Sequence, residues 1–443
     1  MKKIFKYLIV FSISLFLLLF TYNLLFGDSI ANIGFSYAIA RGEIPYNDFN
    51  LIIPLFSPWV YAIPLLIFNS GITFYITQAI FLTILYYLLE KKLKYKIYLL
   101  CFLLFFTYPF VLPSGLYPGY NFILFFLIFI LSYIDKDNTN DYLIGFLIGL
   151  SIITKHTIGV FLVIPSIIFY YKDIKKILKR LVGLLIPCFI FLIYLLITKS
   201  FFNFLNLCVF GLFDFAKSNT YSSSPFIAVS FILFVVYFLY ILKKNKNITY
   251  YYLFLTVLFV IPLFESYHMS YFIISCLYVF IDRLNYDEKY KVITIVLFVL
   301  IIGLWTFIMN TVYNYKYIDY HNYPFRYSSK RMVDNYNYVS KIYKKYDNVT
   351  LFLIGSDNYF NKITRDLDIT YFDLPNYGNY GYDSFNMMKK KIDNNRNCYY
   401  VVSTITLKYY GRGQQYYKEL ANYIIDNGEF IESNGRYSVY YLE

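Results

Sequence analysis

The chain has 443 residues, 59% of them hydrophobic and 15% charged, with a formal net charge of +13. A charged fraction so far below the ~25% of soluble domains excludes an ordinary water-soluble globule. The basic excess falls in short clusters beside apolar runs, and the 54 Tyr and 47 Phe accompany abundant Ile, Asn and Lys, so no nucleic acid partner is expected.

Apolar stretches of membrane-spanning length recur as far as Asn310, which predicts a polytopic α-helical membrane protein. Basic clusters stand at Lys2, Lys3 and Lys6, at Lys91 to Lys96, at Lys172 to Arg180, at Lys243 to Lys246, and at Arg283 to Lys291. Placing all of them in the cytoplasm fixes the spans between them. Crossings are then expected near 7–26, 72–89, 97–112, 120–134, 142–154, 158–171, 181–198, 226–242, 249–264, 271–281 and 292–310. The total is about eleven, with a cytoplasmic N-terminus and an extracytoplasmic C-terminal part. The stretch 51–68 would reverse every later parity if it crossed alone. It also holds Pro54, Pro58 and Pro64, so it is expected as a half-buried hairpin or an outer interfacial helix. Cys101, Cys188, Cys208, Cys276 and Cys398 show no CxxC spacing, and neither a metal site nor a disulfide framework is expected.

Directly after the first span, Gly27-Asp28-Ser29 opens a short helix. Asp28 is expected as its N-cap, with Ile30, Ile33, Gly34 and Tyr37 on one face and Gly42 as its stop. This helix is too short to recross a bilayer and is expected to lie along the interface. Arg41 and Gly42-Glu43-Ile44-Pro45-Tyr46-Asn47-Asp48-Phe49 follow. An Asp-initiated helix and Gly-x-x-Pro-Tyr-x-Asp-Phe at this position resemble the first outer loop of GT-C-type glycosyltransferases. These integral membrane enzymes depend on polyprenyl-phosphate sugars, and the likeness is to the bacterial protein-mannosyltransferase and aminoarabinose-transferase kind. The resemblance implies that Asp28 sits at the reaction centre. Ser29 stands where many members carry a second acid, which argues against a two-carboxylate or metal-dependent mechanism.

Lys155 and His156 interrupt some thirty otherwise apolar residues, in Gly145-x-x-x-Gly149-Leu150 followed by Thr154-Lys155-His156-Thr157-Ile158-Gly159. A cation there costs ~2.5–3.5 kcal/mol in lipid. The run is too long for one crossing and short for two, so both helices are expected to stop at Lys155, facing an outward cavity. The motif again resembles the GT-C group, and the resemblance implies a place for Lys155 beside the polyprenyl phosphate. An ammonium suits a phosphate leaving group; the plainer alternative is a lysine that snorkels to the headgroups.

Pro262-Leu263-Phe264-Glu265-Ser266-Tyr267-His268 lies between two apolar runs on the same side. Glu265 and His268, three apart, share a helical face or point into one pocket. The 199–224 loop mixes an amphipathic half with a Ser-rich half, a pattern compatible with a substrate gate or a plain connector.

Beyond a linker at 311–325 the composition turns polar. Helices are expected at 329–345, 384–394 and 414–427, with strands at 349–354, 398–403, 430–432 and 437–442. Residues 326–443 thus predict a small extracytoplasmic α/β domain following a multi-span unit over 1–310. The Gly-rich segments at 376–381 and 411–415 lack a phosphate-loop pattern, so no nucleotide site is expected.

The functional expectation is a membrane glycosyltransferase that moves a sugar from a polyprenyl-phosphate donor to a glycan, lipid or protein acceptor on the outer face. It needs no cofactor beyond that lipid-linked donor. Asp28 is the expected base, and Lys155, Arg41, His156, His268, Asp48 and Glu265 are the substrate-binding candidates. The alternative is a polytopic transporter or a lipid or polysaccharide flippase, which would place polar groups along a whole path rather than at one side.

Overall fold

The computed structural model describes residues 2–20, 27–92, 119–135, 140–218, 225–260, 266–284, 318–319, 327–328, 330–353, 370–371, 379–403 and 415–443. The expected crossings at 97–112 and 292–310, Glu265 and the 411–414 segment lie outside these residues.

The chain is mostly helical, with a small sheet near its C-terminus. The helices in order are α1 (Lys2–Phe20), α2 (Gly27–Ala40), α3 (Phe56–Ile67), α4 (Ile72–Lys92), α5 (Tyr120–Ile134), α6 (Asp141–Ile152) and α7 (His156–Tyr170). Next come α8 (Ile174–Ile197) and α9, which runs from Phe201–Phe204 through a π-helical Leu205–Phe210 to Gly211–Ser218. Then follow α10 (Pro225–Lys244), α11 (Ile248–Val260) and α12 (Ser266–Leu284).

Two of the described helices, α4 and α8, are long and apolar enough to cross a membrane. Along α8, Leu181, Val182, Leu185, Ile186, Phe189, Ile190 and Leu196 are all exposed. So continuous an apolar face is stable only against lipid or another protein.

Two expectations are corrected and one choice between alternatives is made. First, α2 does not rest along a surface: Ala31, Asn32, Ile33, Phe35, Ser36, Tyr37 and Ala38 are all buried. A helix apolar nearly all round belongs inside a bundle. It starts at Gly27, which puts Asp28 in its first turn rather than at its cap. Its end is as expected: Gly42 takes φ +91°, Glu43 N donates to Ala38 O and Gly42 N to Ile39 O, the two bonds of a Schellman stop. Second, of the two forms expected for 51–68 the helix is present: it is the 12-residue α3, with Pro64 inside it. Third, Arg180 is not a solvated member of its basic cluster. It is 3% exposed and binds Asp135 through both terminal nitrogens, at 2.8 and 2.6 Å.

Close backbone contact joins α6 and α8 in parallel. A Cβ on Gly145 would strike the Arg180 backbone, one on Gly149 would meet Pro187 Cγ at 2.5 Å, and one on Gly183 would strike the Tyr142 carbonyl. Small residues one turn apart permit this approach where lipid supplies no hydrophobic drive.

The C-terminal residues build a five-stranded sheet of β3 (Val349–Phe352), β4 (Thr370–Tyr371), β5 (Cys398–Ser403), β6 (Glu429–Ser433) and β7 (Tyr437–Leu442), in the order β4-β3-β5-β7-β6. The first three strands are parallel, and β7 pairs antiparallel with β5 and β6. Helix α13 (Lys330–Lys345) covers one face through Val339 and Ile342, while α14 (Ser384–Asp393) and α15 (Gln415–Asn427) cover the other. Burial on both faces explains the unbroken burial of β3. Strands β1 (Ile318–Asp319) and β2 (Tyr327–Ser328) form a separate antiparallel pair, which begins inside the expected linker.

Candidate functional site

The turn between α6 and α7 is tight. Lys155 N and Thr154 N both reach back to Ser151 O, and Gly159 lies so close to α6 that a Cβ there would meet Ile152 N at 2.5 Å. The two helices therefore end where a cation is expected, and Lys155 takes an extended conformation at the cap of α7. Its Nζ donates to Asn121 Oδ1 at 3.0 Å and lies 5.1 Å from the Tyr120 ring centre and 5.5 Å from that of Phe259. Ring faces attract a cation electrostatically, and more strongly where water is excluded.

Tyr120 and Asn121 begin α5. The amide of Tyr120, which has no acceptor within its own helix, donates to Asn32 Oδ1 of α2 at 3.4 Å. Asn32 follows Asp28 by four residues, one helical turn. The helix that carries Asp28 is thereby fastened to the residues that hold Lys155. The Asp28 side chain itself lies outside the described set.

His268 is buried in the first turn of α12. Three residues on, Tyr271 stacks on Phe259 with ring centres 4.8 Å apart, so α12 packs on the ring that faces Lys155. His156 diverges from this group. Both of its ring nitrogens are buried, and the ring faces the Cys208 backbone without reaching hydrogen-bond geometry. Adjacent in sequence, Lys155 and His156 serve opposite sides of the α6–α7 turn.

Asp48 is committed to local structure. Its Oδ2 accepts the Ile44 amide at 2.6 Å, closing a turn in which Tyr46 holds φ +71°. Arg41 is exposed at the end of α2, with its guanidinium carbon 5.4 Å from the Tyr37 ring centre. The same loop is tied to α9 and to the C-terminal residues. Asn203 Nδ2 donates to Asn47 Oδ1 at 2.9 Å, Cys208 Sγ to Leu51 O at 3.3 Å, and Asn50 Nδ2 to Asn379 O at 2.9 Å. Beside Asn379, Gly381 takes φ +82° against Asn206, whose Oδ1 accepts the Tyr382 amide at 3.0 Å.

Asn32, Tyr120, Asn121 and Phe259 are not among the residues that the sequence singles out. The signal that could have found the two amides is the isolation of each in an apolar helix, where an amide is costly unless bonded.

No protein-family model and no curated protein matches the chain. Three solved structures show partial likeness. The archaeal oligosaccharyltransferase AglB from Archaeoglobus fulgidus, in complex with an inhibitory peptide and a dolichol-phosphate, is 12% identical, with 99% of this chain and 74% of that chain covered and a TM-score of 0.48. The Archaeoglobus fulgidus oligosaccharyltransferase complexed with Zn and sulfate is 13% identical over 98% and 73%, at 0.46. The same enzyme tethered to an acceptor peptide containing the NVT sequon is 14% identical over 99% and 74%, also at 0.46. At such low identity and overlap, the functional reading rests on this chain's own residues.

Proposed function

We propose that the protein is a GT-C-type membrane glycosyltransferase that takes a sugar from a polyprenyl-phosphate donor. The supporting observation is the Lys155 ammonium, set between two aromatic faces at a helix turn and fastened through Asn121, Tyr120 and Asn32 to the helix of Asp28. Asp28 takes the proton of the acceptor hydroxyl while the acceptor oxygen bonds to the anomeric carbon. The bond from that carbon to the phosphate oxygen breaks, and the polyprenyl phosphate leaves with the electron pair. Lys155 offsets the charge that develops there. One displacement with one base inverts the anomeric centre. His268 contributes to the donor side through α12, and Arg41 is a further cation for the departing phosphate. Asp48 and His156 support the loop and the helix turn.

In this proposal the helices cross the membrane many times, the N-terminus is cytoplasmic, and residues 326–443 form an outer acceptor-recognition domain. Cys398 is 1% exposed, with its thiol on Thr350, so it is unsuitable for labelling. An exposed site on α14, Lys390→Cys, should react with an impermeant maleimide in intact cells; protection there would reverse the topology.

Asp28→Asn should lower transfer from a polyprenyl-phosphate sugar by ~10²–10⁴. Its cost to the first helical turn is only ~0.3–1 kcal/mol. Full activity in that variant would move the base elsewhere.

A further inference from the structure

We propose that α8 carries a binding site for an anionic phospholipid, with Lys175 and Lys179 at the headgroup and an aliphatic column along an acyl chain. The inference goes beyond the transfer reaction and rests only on α8 as a membrane span. Positions 175, 179, 182, 186, 190, 193 and 197 follow one another by three or four residues and form one column on the helix. Every one of them is exposed: the two lysines head the column, and Val182, Ile186, Ile190, Ile193 and Ile197 continue it. The column one residue earlier, from Ile174 to Leu196, is exposed and apolar throughout. A polar head above an apolar stripe matches the two halves of a lipid.

The column one residue later also opens with two cations, but it faces the protein. Lys176 Nζ lies 4.0 Å from the Tyr170 ring centre, Arg180 is enclosed by Asp135, and Gly183, Pro187 and Phe191 are buried. The nearby acids are engaged there too: Asp173 Oδ1 accepts the Lys176 amide at 3.1 Å, and Asp141 binds Arg180. Among the described residues neither Lys175 nor Lys179 forms an ion pair. Close backbone contact with α6 at Gly145, Gly149 and Gly183 fixes the rotation of α8, so the two lysines stay on its outer side.

The helix itself gains nothing from them. The macrodipole favours anions, not cations, at a helix N-terminus. An external phosphate there suits both the lysines and the dipole. Depth agrees as well. The 24 residues of α8 span about 36 Å against a hydrocarbon core of about 30 Å, so its first turn stands at the headgroups. Helical side chains lean toward the N-terminus, which lets Lys179 reach the same level.

The test titrates the full-length protein, in a neutral detergent, with fluorescent phosphatidylglycerol, matched phosphatidylcholine and glycerol 3-phosphate. Phosphatidylglycerol should bind saturably and the most tightly. A lysine near an anionic headgroup layer contributes about fivefold, so Lys175→Gln with Lys179→Gln should weaken phosphatidylglycerol about 25-fold and leave phosphatidylcholine unchanged. Both positions are exposed, so the unfolding midpoint without lipid should stay at the wild-type value. Lys176→Gln removes the same charge from the inward column and should leave the affinity unchanged. An equal loss in Lys176→Gln would reduce the effect to net charge and overturn the site. Equal affinity for the two lipids would overturn it as well. Glycerol 3-phosphate binding as tightly as phosphatidylglycerol would remove the acyl chain from the site and overturn the proposal. A disulfide-linked dimer of Ile186→Cys would give this face to a second copy of the chain, with the same consequence. Sugar transfer is not the readout, so failure of the glycosyltransferase reading would leave the lipid result standing.

Discussion

Helices α5 to α8 carry a buried or half-buried cation at each end, and the two differ in the described groups that surround them. At the α6–α7 turn, Lys155 meets an amide oxygen and two aromatic faces. At the other end of α5, Arg180 is surrounded by Asp135, by Asp141 at 3.0 Å and by Ser166 at 2.9 Å, while Tyr252 donates to Asp135 at 2.9 Å. The guanidinium is planar and its donors match a carboxylate two at a time, so Arg180 and Asp135 close on each other. That arrangement ties α5, α6, α7, α8 and α11 together. A cation closed on by carboxylates in this way is architecture.

The comparison breaks most readily at its functional end. Lys155→Ala should lower transfer by about 10²–10³, as expected for loss of one electrostatic group at a developing charge, while its unfolding midpoint in detergent stays close to wild type. A large drop in the midpoint with normal turnover per folded molecule would make Lys155 a second Arg180.

Asp135→Asn should show the reverse. Leaving a buried guanidinium half paired costs ~3–5 kcal/mol, visible as a lower unfolding midpoint. Turnover per folded molecule should hold. Selective loss of transfer at unchanged stability would give the Arg180 end a role in the reaction.

Gly145→Ala tests the close contact that sets α6 against α8. With the Arg180 backbone in the way of a Cβ, overpacking should cost ~1–3 kcal/mol. A neutral result would show that the two helices are not in close contact at this level.

The smallest effect belongs to the C-terminal sheet. Lys345 and Glu432 form an exposed pair at 2.6 Å. The hydrogen bond from Lys345 holds the Glu432 carboxyl below the usual carboxylate range, and Tyr346 adds to it. A carboxyl lowered on folding contributes stability above its unfolded pKa and loses it as pH falls through the folded one. Acidification below the ordinary carboxylate range should therefore lower the melting point slightly, and Glu432→Gln should remove that slope. An unchanged slope in Glu432→Gln would show that the pair contributes nothing.

Much of the fold is legible in the sequence because local patterns dictate it. The apolar run and Gly42 set the end of α2, and the stop between α6 and α7 follows from a cation amid apolar residues. The helices and strands of 330–443 follow from periodicity within each segment. Among the described residues there, the strand not anticipated is β4, since two residues carry no pattern. Localisation of Lys155 to a helix turn was equally readable, because the energetic cost of a charge in lipid depends on the residue itself.

Partnership was not readable. Nothing local distinguishes Arg180 from the lysines beside it, yet one is enclosed by carboxylates from two other segments. Likewise Lys155 and His156 are neighbours in sequence but part company, since successive side chains at a turn leave in different directions. Asn121 carries no local signal of its partner, which is met only where α5 and the α6–α7 turn come together. Sequence by itself determined where charges interrupt apolar segments, because burial penalties attach to residue types. Tertiary structure decided what each of those charges meets, because that depends on the groups another helix presents within about 3 Å.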